Sequence, residues 1–343
     1  MNLSLSERVN AFVLLGKDFQ ENSQWIESVI KPSLGKIYNS NGWFTEFSVL
    51  NAFASLSNML DENNLVEWIS RYKFSVNIVE KKVGIIMAGN IPLVGFHDML
   101  CVLISGNTVI IKTSKDDAIL PRLVCEKLFE IEPKLKSKIE FVERLESFDA
   151  VIATGSNNSA RYFESYFGKY PNIIRKNRTS VAVLNGLETK SQLTKLGHDI
   201  FDYFGLGCRN VTKMYVPKGY EFAKFFESIY DFGFVANVNK YANNYDYNRA
   251  VYLMNSLPFL DNNFLIIRES EDLTSPVSVV NYEFYDDVSV VAQQLVVKQE
   301  QVQCVVSDIS VIENAVTFGN SQKPMLWDYA DGIDTINFLN SLL

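Results

Sequence analysis

The residue of this chain best suited to covalent chemistry is Cys208, in the run Phe204-Gly205-Leu206-Gly207-Cys208-Arg209-Asn210. Two glycines beside one cysteine, after an amphipathic helix, describe a tight turn. Such a turn presents a thiol and its backbone N–H together. A nucleophilic thiol needs that access, and positive charge at Arg209 or Lys213 would lower its pKa. The same cysteine also reads as a small buried hydrophobe, the default for a free thiol. Cys101, Cys125 and Cys304 sit inside apolar runs and read that way.

Asn90 is the second candidate, in Ala88-Gly89-Asn90-Ile91-Pro92-Leu93. It falls at the end of an apolar run that reads as a parallel strand, where open α/β sheets place ligands. A side-chain amide there can donate to a developing oxyanion. Alone, the segment reads first as an ordinary turn asparagine close to a proline. Two further segments could meet a nucleotide. Lys112 and Ser114 stand just beyond the strand Thr108-Val109-Ile110-Ile111. Thr154, Gly155 and Ser156 form a small polar loop before a helix at 159–167, whose first N–H groups could hold pyrophosphate. The sequence has no GxGxxG fingerprint. His97 and His198 read as packing or capping residues, with His97 the nearer to a proton-donor position.

Elements that could position these groups follow from the pattern. Residues 1–75 read as mostly helical, with apolar rhythms over 4–15 and 47–60. From Val83 the texture becomes α/β. Buried strands are expected at 83–88, 108–112, 139–142 and 150–154, with helices at 96–104 and 121–129. A second α/β unit begins near Thr179. It has strands at 180–184, 212–216, 264–267, 277–280 and 303–306, and helices at 193–204 and 222–229. The first of these helices is ended by Gly205. The fold class is thus α/β, with two Rossmann-like parallel-sheet domains and an N-terminal helical segment. The expected division is 1–178 for the helices and a nucleotide-binding domain, 179–325 for a domain carrying Cys208, and a 326–343 tail available to complete the first.

Composition bounds the function. The 343 residues are 47% hydrophobic and include 24 Phe, 16 Tyr and 4 Trp, enough for a sizeable core. A net charge of -8 argues against nucleic acid as a partner. The longest uncharged apolar stretch, 83–96, is too short to span a membrane. The start shows no leader pattern, and four cysteines without a CxxC pair suit a reducing cytoplasm and give no metal site.

In order, AGNIPL, GNTVIIKTS, ATGS and FGLGC resemble segments of the aldehyde dehydrogenase superfamily. The variant pattern is most similar to its acyl-CoA reductase branch, related to the bacterial luciferase-associated fatty acid reductase. Asp328-Tyr329-Ala330-Asp331-Gly332-Ile333-Asp334 also resembles that branch. The likeness runs from Val83 to the C-terminus. It implies that Cys208 attacks the acyl carbon and that Asn90, with the Cys208 N–H, forms the oxyanion hole. It further implies that Lys112 and Ser114 hold the adenosine ribose or its 2′-phosphate, and that Thr154, Gly155 and Ser156 meet the phosphates and nicotinamide end. The family's nicotinamide-ribose carboxylate falls on Asp272, with Glu271 one place off.

One departure carries meaning. Hydrolytic relatives have a glutamate that activates water against the thioester. The matching stretch here, Ile173 to Thr179, has no carboxylate and holds Arg175, Lys176 and Arg178. Those bases could meet a phosphorylated cofactor or carrier. The expected activity is NADPH-dependent reduction of an acyl thioester, a fatty acyl-CoA or carrier-bound acyl group, to the aldehyde. The alternatives are an acyl phosphate or semialdehyde reductase, a cysteine acyltransferase or hydrolase without nicotinamide, and a non-catalytic relative. The resemblance also implies a homo-oligomer and allows a partner acyl-transfer enzyme.

Overall fold

A run such as Val83-Gly84-Ile85-Ile86 is too short for a helix and too apolar to leave one face in water. It persists only as a strand covered on both sides. In the computed structural model, which describes residues 3–74 and 79–342, it forms the centre of a parallel sheet. Residues 1 and 2, read for a leader, and residue 75, the end of the expected helical stretch, lie outside the described residues.

The chain divides into two compact units, Met1–Asn177 with Pro324–Leu343, and Arg178–Lys323. The first unit opens with helices α1 (Leu5–Asp18), α2 (Lys31–Ser40), α3 (Glu46–Met59) and α4 (Glu62–Ser70). Ser4 and Glu7 form a capping box that starts α1, and Thr45 caps α3. Then β1 (Lys82–Ile86), α5 (Phe96–Ile104), β2 (Thr108–Lys112), α6 (Leu120–Ile131), β3 (Ile139–Phe141), β4 (Ala150–Thr154), α7 (Asn157–Phe167) and β5 (Asn172–Arg175) alternate. The sheet is parallel throughout, in the order β3-β2-β1-β4-β5. That order is Rossmann-like. Pro121 sits at the start of α6, as its fixed φ favours.

The second unit contains β6 (Thr179–Val183), α8 (Lys190–Phe201), β7 (Val211–Pro217), α9 (Ala223–Ser228), α10 (Asn239–Met254), β8 (Leu260–Asp261), β9 (Ile266–Glu269), β10 (Val279–Tyr285), α11 (Val288–Val297) and β11 (Val302–Val306). Its six-stranded sheet runs β11-β6-β7-β10-β9-β8, parallel except for the short edge strand β8. The fold is therefore α/β with two parallel sheets and N-terminal helices.

Several expectations shift. The helix expected to run to Phe204 stops at Phe201, because Tyr203 and Phe204 take left-handed backbone angles. Strand β5, not expected from the sequence, takes in Ile173 to Arg175 of the 173–179 stretch, and α10 has no apolar stripe in sequence to mark it.

The tail, residues 324–343, returns to the first unit and ends in α12 (Thr335–Asn340). Trp68 Nε1 donates to the Tyr329 hydroxyl at 2.8 Å, and the Tyr72 hydroxyl donates to Asp334 at 2.9 Å. Arg175, at the end of β5, pairs with Asp98 at 2.5 Å and donates to Thr335 Oγ1 at 3.2 Å. Both charges of that pair are buried. Burial alone would pull the guanidinium down, but Asp98 outweighs it and holds Arg175 above its ordinary value. Removing one member of such a pair leaves the other charge stranded, at a cost of about 3–5 kcal/mol. Arg175→Ala is thus expected to lower the unfolding free energy of the first unit by that order and to move its urea midpoint down with it, while Lys176→Ala, at an exposed site, leaves the midpoint in place. Chemical denaturation followed by tryptophan fluorescence reads the difference.

Candidate active site

Within the first unit, the chain builds β1, β2 and β3 in one direction and then returns to place β4 on the other side of β1. The carboxyl ends of β1 and β4 therefore flank a topological switch point, where open α/β sheets take their ligands. Asn90 follows β1 and is exposed. Lys112 is the last residue of β2, with Ser114 two places on. Thr154 ends β4, and Ser156 caps α7 by accepting from the Ser159 N–H at 3.2 Å. All five, with Gly155, lie at the same end of adjacent strands. The positive end of the α7 dipole lies at this loop.

The Asn90 loop is tightly seated. A Cβ on Gly89 would lie 2.7 Å from Ser114 Cβ and Oγ, so only glycine allows the two loops to touch. Asn41 Nδ2 donates to the Gly89 carbonyl at 3.3 Å. The Leu93 N–H donates to Asp117 Oδ2 at 2.8 Å, and Leu93 itself is left-handed at φ 58°. Burial pushes the Asp117 carboxyl up to about 7 against the opposing Leu93 N–H.

One candidate is corrected here, and one histidine keeps the packing role read from its sequence. Arg175 cannot meet a phosphorylated ligand, because it is turned inward to Asp98 in the first turn of α5. His97 is a packing residue. Its Nε2 lies 2.9 Å from the Leu326 carbonyl, which can only accept, so that nitrogen carries the proton. Its ring packs between Trp68 and Tyr329. In the second unit, His198 bonds Asp202 at 3.2 Å, which raises its pKa. Of the remaining bases, Lys176 pairs with Glu164 on the surface and Arg178 donates to the Gln299 carbonyl.

Cys208 is half-buried in the turn between α8 and β7. Tyr203, Phe204 and Gly205 lie ahead of it at φ 57°, 59° and 78°. Left-handed angles at Tyr203 and Phe204 cost about 1–3 kcal/mol each, and they persist only where the surroundings enforce them. Both side chains are buried. Asn210 supplies the enforcement. Its amide donates to the Asp202 carbonyl at 2.6 Å and to the Ile200 carbonyl at 3.3 Å, closing the end of α8. Its Oδ1 accepts from the Gly207 N–H at 2.8 Å. Asn210 is fully buried, so one side chain holds both arms of the cysteine turn. From β6, the Ser180 hydroxyl donates to the Cys208 carbonyl at 3.0 Å. The loop carrying Asp272 adjoins β7, where Thr212 Oγ1 donates to the Leu273 carbonyl at 2.7 Å. Glu271 and Asp272 are both exposed.

The thiols differ in setting. Burial raises Cys101 well above the ordinary range, and pushes Cys125 up to about 12. Cys304, on β11, is also raised by burial, against the opposing charge of Arg209 and a Ser180 contact at 3.1 Å. These three are protonated and poorly nucleophilic at neutral pH. Lys213, expected as a cation for Cys208, is instead fully buried and bonds Glu283 at 2.5 Å and the Glu271 carbonyl at 2.8 Å. Among the described residues, no group of three or more His, Cys, Asp and Glu could hold a metal ion, and no helix is long and apolar enough to cross a membrane.

Residues 54–225, half of the chain, match the family model for acyl-CoA reductase (LuxC). The chain belongs to the LuxC acyl-CoA reductase family. That match spans both the Asn90 loop and the Cys208 turn of this LuxC-family protein. No curated protein matches it. Among solved structures it is similar to aldehyde dehydrogenase 21 from Physcomitrella patens, with a TM-score of 0.65 and 12% identity over 99% of this chain and 84% of that one. It is also similar to an NAD-dependent benzaldehyde dehydrogenase from Corynebacterium glutamicum, with a TM-score of 0.64 and 12% identity over 93% and 80% of the two chains. A Mycobacterium tuberculosis aldehyde dehydrogenase complexed with NAD+ gives a TM-score of 0.62 and 11% identity over 89% and 73%. At such identities these likenesses establish the aldehyde dehydrogenase fold. With the family match, they support oxidoreductase chemistry at the aldehyde or acyl level.

Four residues of this LuxC-family chain had no signal in sequence. Asn41 precedes a glycine and reads as a turn, Asp117 sits in a charged run, Ser180 lies inside a strand, and Asn210 resembles a chance glycosylation sequon. Two measurements test their roles. Asn210→Ala leaves the Gly207 N–H and the α8 carbonyls unmet, at a cost of about 1–3 kcal/mol. It is expected to lower the unfolding midpoint of the second unit and to speed alkylation of Cys208 by iodoacetamide. Asp117 has a folded pKa above its unfolded one, so the native state holds its proton longer. Its contribution to stability falls as pH rises from about 4 to about 7. Asp117→Asn therefore gains stability relative to wild type across that window, as read by thermal melts at a series of pH values.

Proposed function

We propose that the chain reduces an acyl thioester, a fatty acyl-CoA, to the aldehyde through an acyl-enzyme on Cys208, with NADPH as reductant. The observation that carries this reading is the clamped Cys208 turn within a chain of the acyl-CoA reductase family. The Cys208 thiolate attacks the thioester carbonyl and forms a carbon–sulfur bond. The Asn90 amide donates to the tetrahedral oxyanion, worth about 3–4 kcal/mol. The CoA thiolate then leaves. The acyl-enzyme resists water because the stretch 173–179 supplies no carboxylate base. Bound NADPH supplies the hydride for the acyl carbon. The resulting thiohemiacetal collapses to aldehyde and returns the Cys208 thiolate.

Residues at the β1–β4 switch point suit a dinucleotide. The loop of Thr154, Gly155 and Ser156 is small, and the start of α7 offers a dipole to phosphate. Lys112, half-buried at the end of β2, and Ser114 would hold the adenosine ribose or its 2′-phosphate. Asp272, with Glu271 beside it, would hold the nicotinamide ribose. The Mycobacterium tuberculosis relative solved with NAD+ supports a nicotinamide cofactor. Four free cysteines suit a cytoplasmic protein, and a homo-oligomer working with an acyl-transfer partner remains part of this reading.

The test mixes the protein with a panel of acyl-CoAs and weighs it intact. An acyl adduct is expected, absent in Cys208→Ala. With NADPH present, aldehyde forms in step with loss of nicotinamide absorbance. Asn90→Ala is expected to cut turnover roughly 100- to 1000-fold. Free acid as the only product, or aldehyde without NADPH consumption, would overturn the reading. Turnover confined to acyl phosphates would move the substrate class.

A further inference from the structure

Asn90 is exposed at the tip of its loop, and a donor there serves an oxyanion only if the loop holds its direction. The anchors on the near side are plain. Gly89 packs on Ser114, and Asn41 holds the Gly89 carbonyl. On the far side, Pro92 has no N–H to offer. The first backbone donor beyond it is Leu93, and its N–H goes to the Asp117 carboxylate at 2.8 Å.

Three features single out that contact. Leu93 is left-handed, a state that a bulky side chain rarely adopts without enforcement. Leu93 and Asp117 are both buried, so water does not stand in for either partner. Asp117 Oδ1 is buried with no hydrogen-bond partner among the described residues. A carboxyl that makes one bond and leaves an oxygen unmet is a poor packing residue. Its raised pKa agrees with that cost. The link from Leu93 back to Asn90 is stiff, because Pro92 fixes its own φ and restricts Ile91 before it. The Leu93 carbonyl also accepts from the Phe96 N–H at 2.9 Å, at the start of α5. Asp117 thus sets the joint from which the loop leaves towards Asn90 and the helix leaves towards the core.

We infer that Asp117 is the positioning residue for acyl transfer: it holds the Leu93 joint so that the Asn90 amide meets the oxyanion. This rests on the acyl-thioester reading above. Asp117 touches no reacting atom and acts through Leu93.

The experiment compares wild type, Asp117→Ala and Asp117→Asn as full-length proteins. The probe is an acyl-CoA that acylates the wild type. The readouts are single-turnover acylation of Cys208 by intact mass, steady-state kcat and KM, and hydrogen exchange of the peptide covering residues 88–95. Asn keeps an acceptor for the Leu93 N–H and Ala removes it. Asp117→Ala is expected to slow acylation by about 10- to 100-fold, the scale of a misplacement near 1 Å. KM for the acyl-CoA stays within about twofold, because the loss falls on the transition state. Exchange at residues 88–95 rises. Asp117→Asn restores both acylation and protection. Should Asp117→Ala not fold, Asp117→Glu shifts the acceptor by a methylene with the charge kept, and it must also slow acylation. Acylation at the wild-type rate in Asp117→Ala, equal losses in the Ala and Asn variants, or a loss confined to KM would each overturn the inference. Absence of any adduct on wild type would instead overturn the acyl-thioester reading, and this inference with it.

Discussion

A parallel sheet buried on both faces leaves a ligand only one way in. Helices cover the faces, and the strand interiors are mostly apolar, with Lys213 in β7 and Asn281 in β10 as buried polar exceptions. Chemistry is therefore confined to the ends of strands, where the chain turns and backbone groups become available. The two units place their candidates at opposite ends of their strands. In the first, the candidate loops follow β1, β2 and β4 at their carboxyl ends. In the second, the candidate thiol stands just before β7.

Loops at strand ends are soft by default, and these are stiffened by buried side chains that do no chemistry. Asn210 holds both arms of the Cys208 turn. Asp117 and Asn41 hold the two sides of the Asn90 loop. Asp98 and Arg175 fasten α5 to the end of β5 and to the returning tail. Each is a polar group taken out of water, and each is tolerated because its partner is fixed. The candidate loops are held from behind, by buried side chains.

This arrangement explains what the sequence revealed. Strands β1, β2 and β4 were legible because an apolar run buried on both faces has a distinct composition. Helix α5 was legible to the residue, since its apolar face is continuous and Gly106 closes it. Cys208 stood out because glycines lie beside it, and Asn90 because it follows the end of a buried strand. The supports did not. Asn41, Asp117 and Asn210 are polar residues in polar surroundings, and only the fold buries them. Arg175 misled for the same reason: within Arg-Lys-Asn-Arg it reads as a solvated base, while strand pairing turns it inward to Asp98. The end of α8 was misplaced because Tyr203 and Phe204 continue its apolar stripe yet leave the helical region. Sequence shows apolar rhythm well and says little about an enforced backbone angle.

The returning tail bears on how the protein is made. Residues 178–323 form one continuous unit, so on the ribosome that unit has all its strands before the final segment appears. The first unit is interrupted. Trp68 and Tyr329, joined by a hydrogen bond, lie 261 positions apart in the chain. Until Tyr329, Asp334 and Thr335 emerge, Trp68 and Tyr72 lack these hydrogen-bond partners, and Arg175 has Asp98 but not Thr335. The first unit is thus assembled from segments on both sides of the second, and its contacts with residues 324–343 can form only once that segment is present. Until then the apolar surface that Leu326, Tyr329, Ile336 and Leu339 cover stays open, and exposed apolar surface is what a chaperone engages.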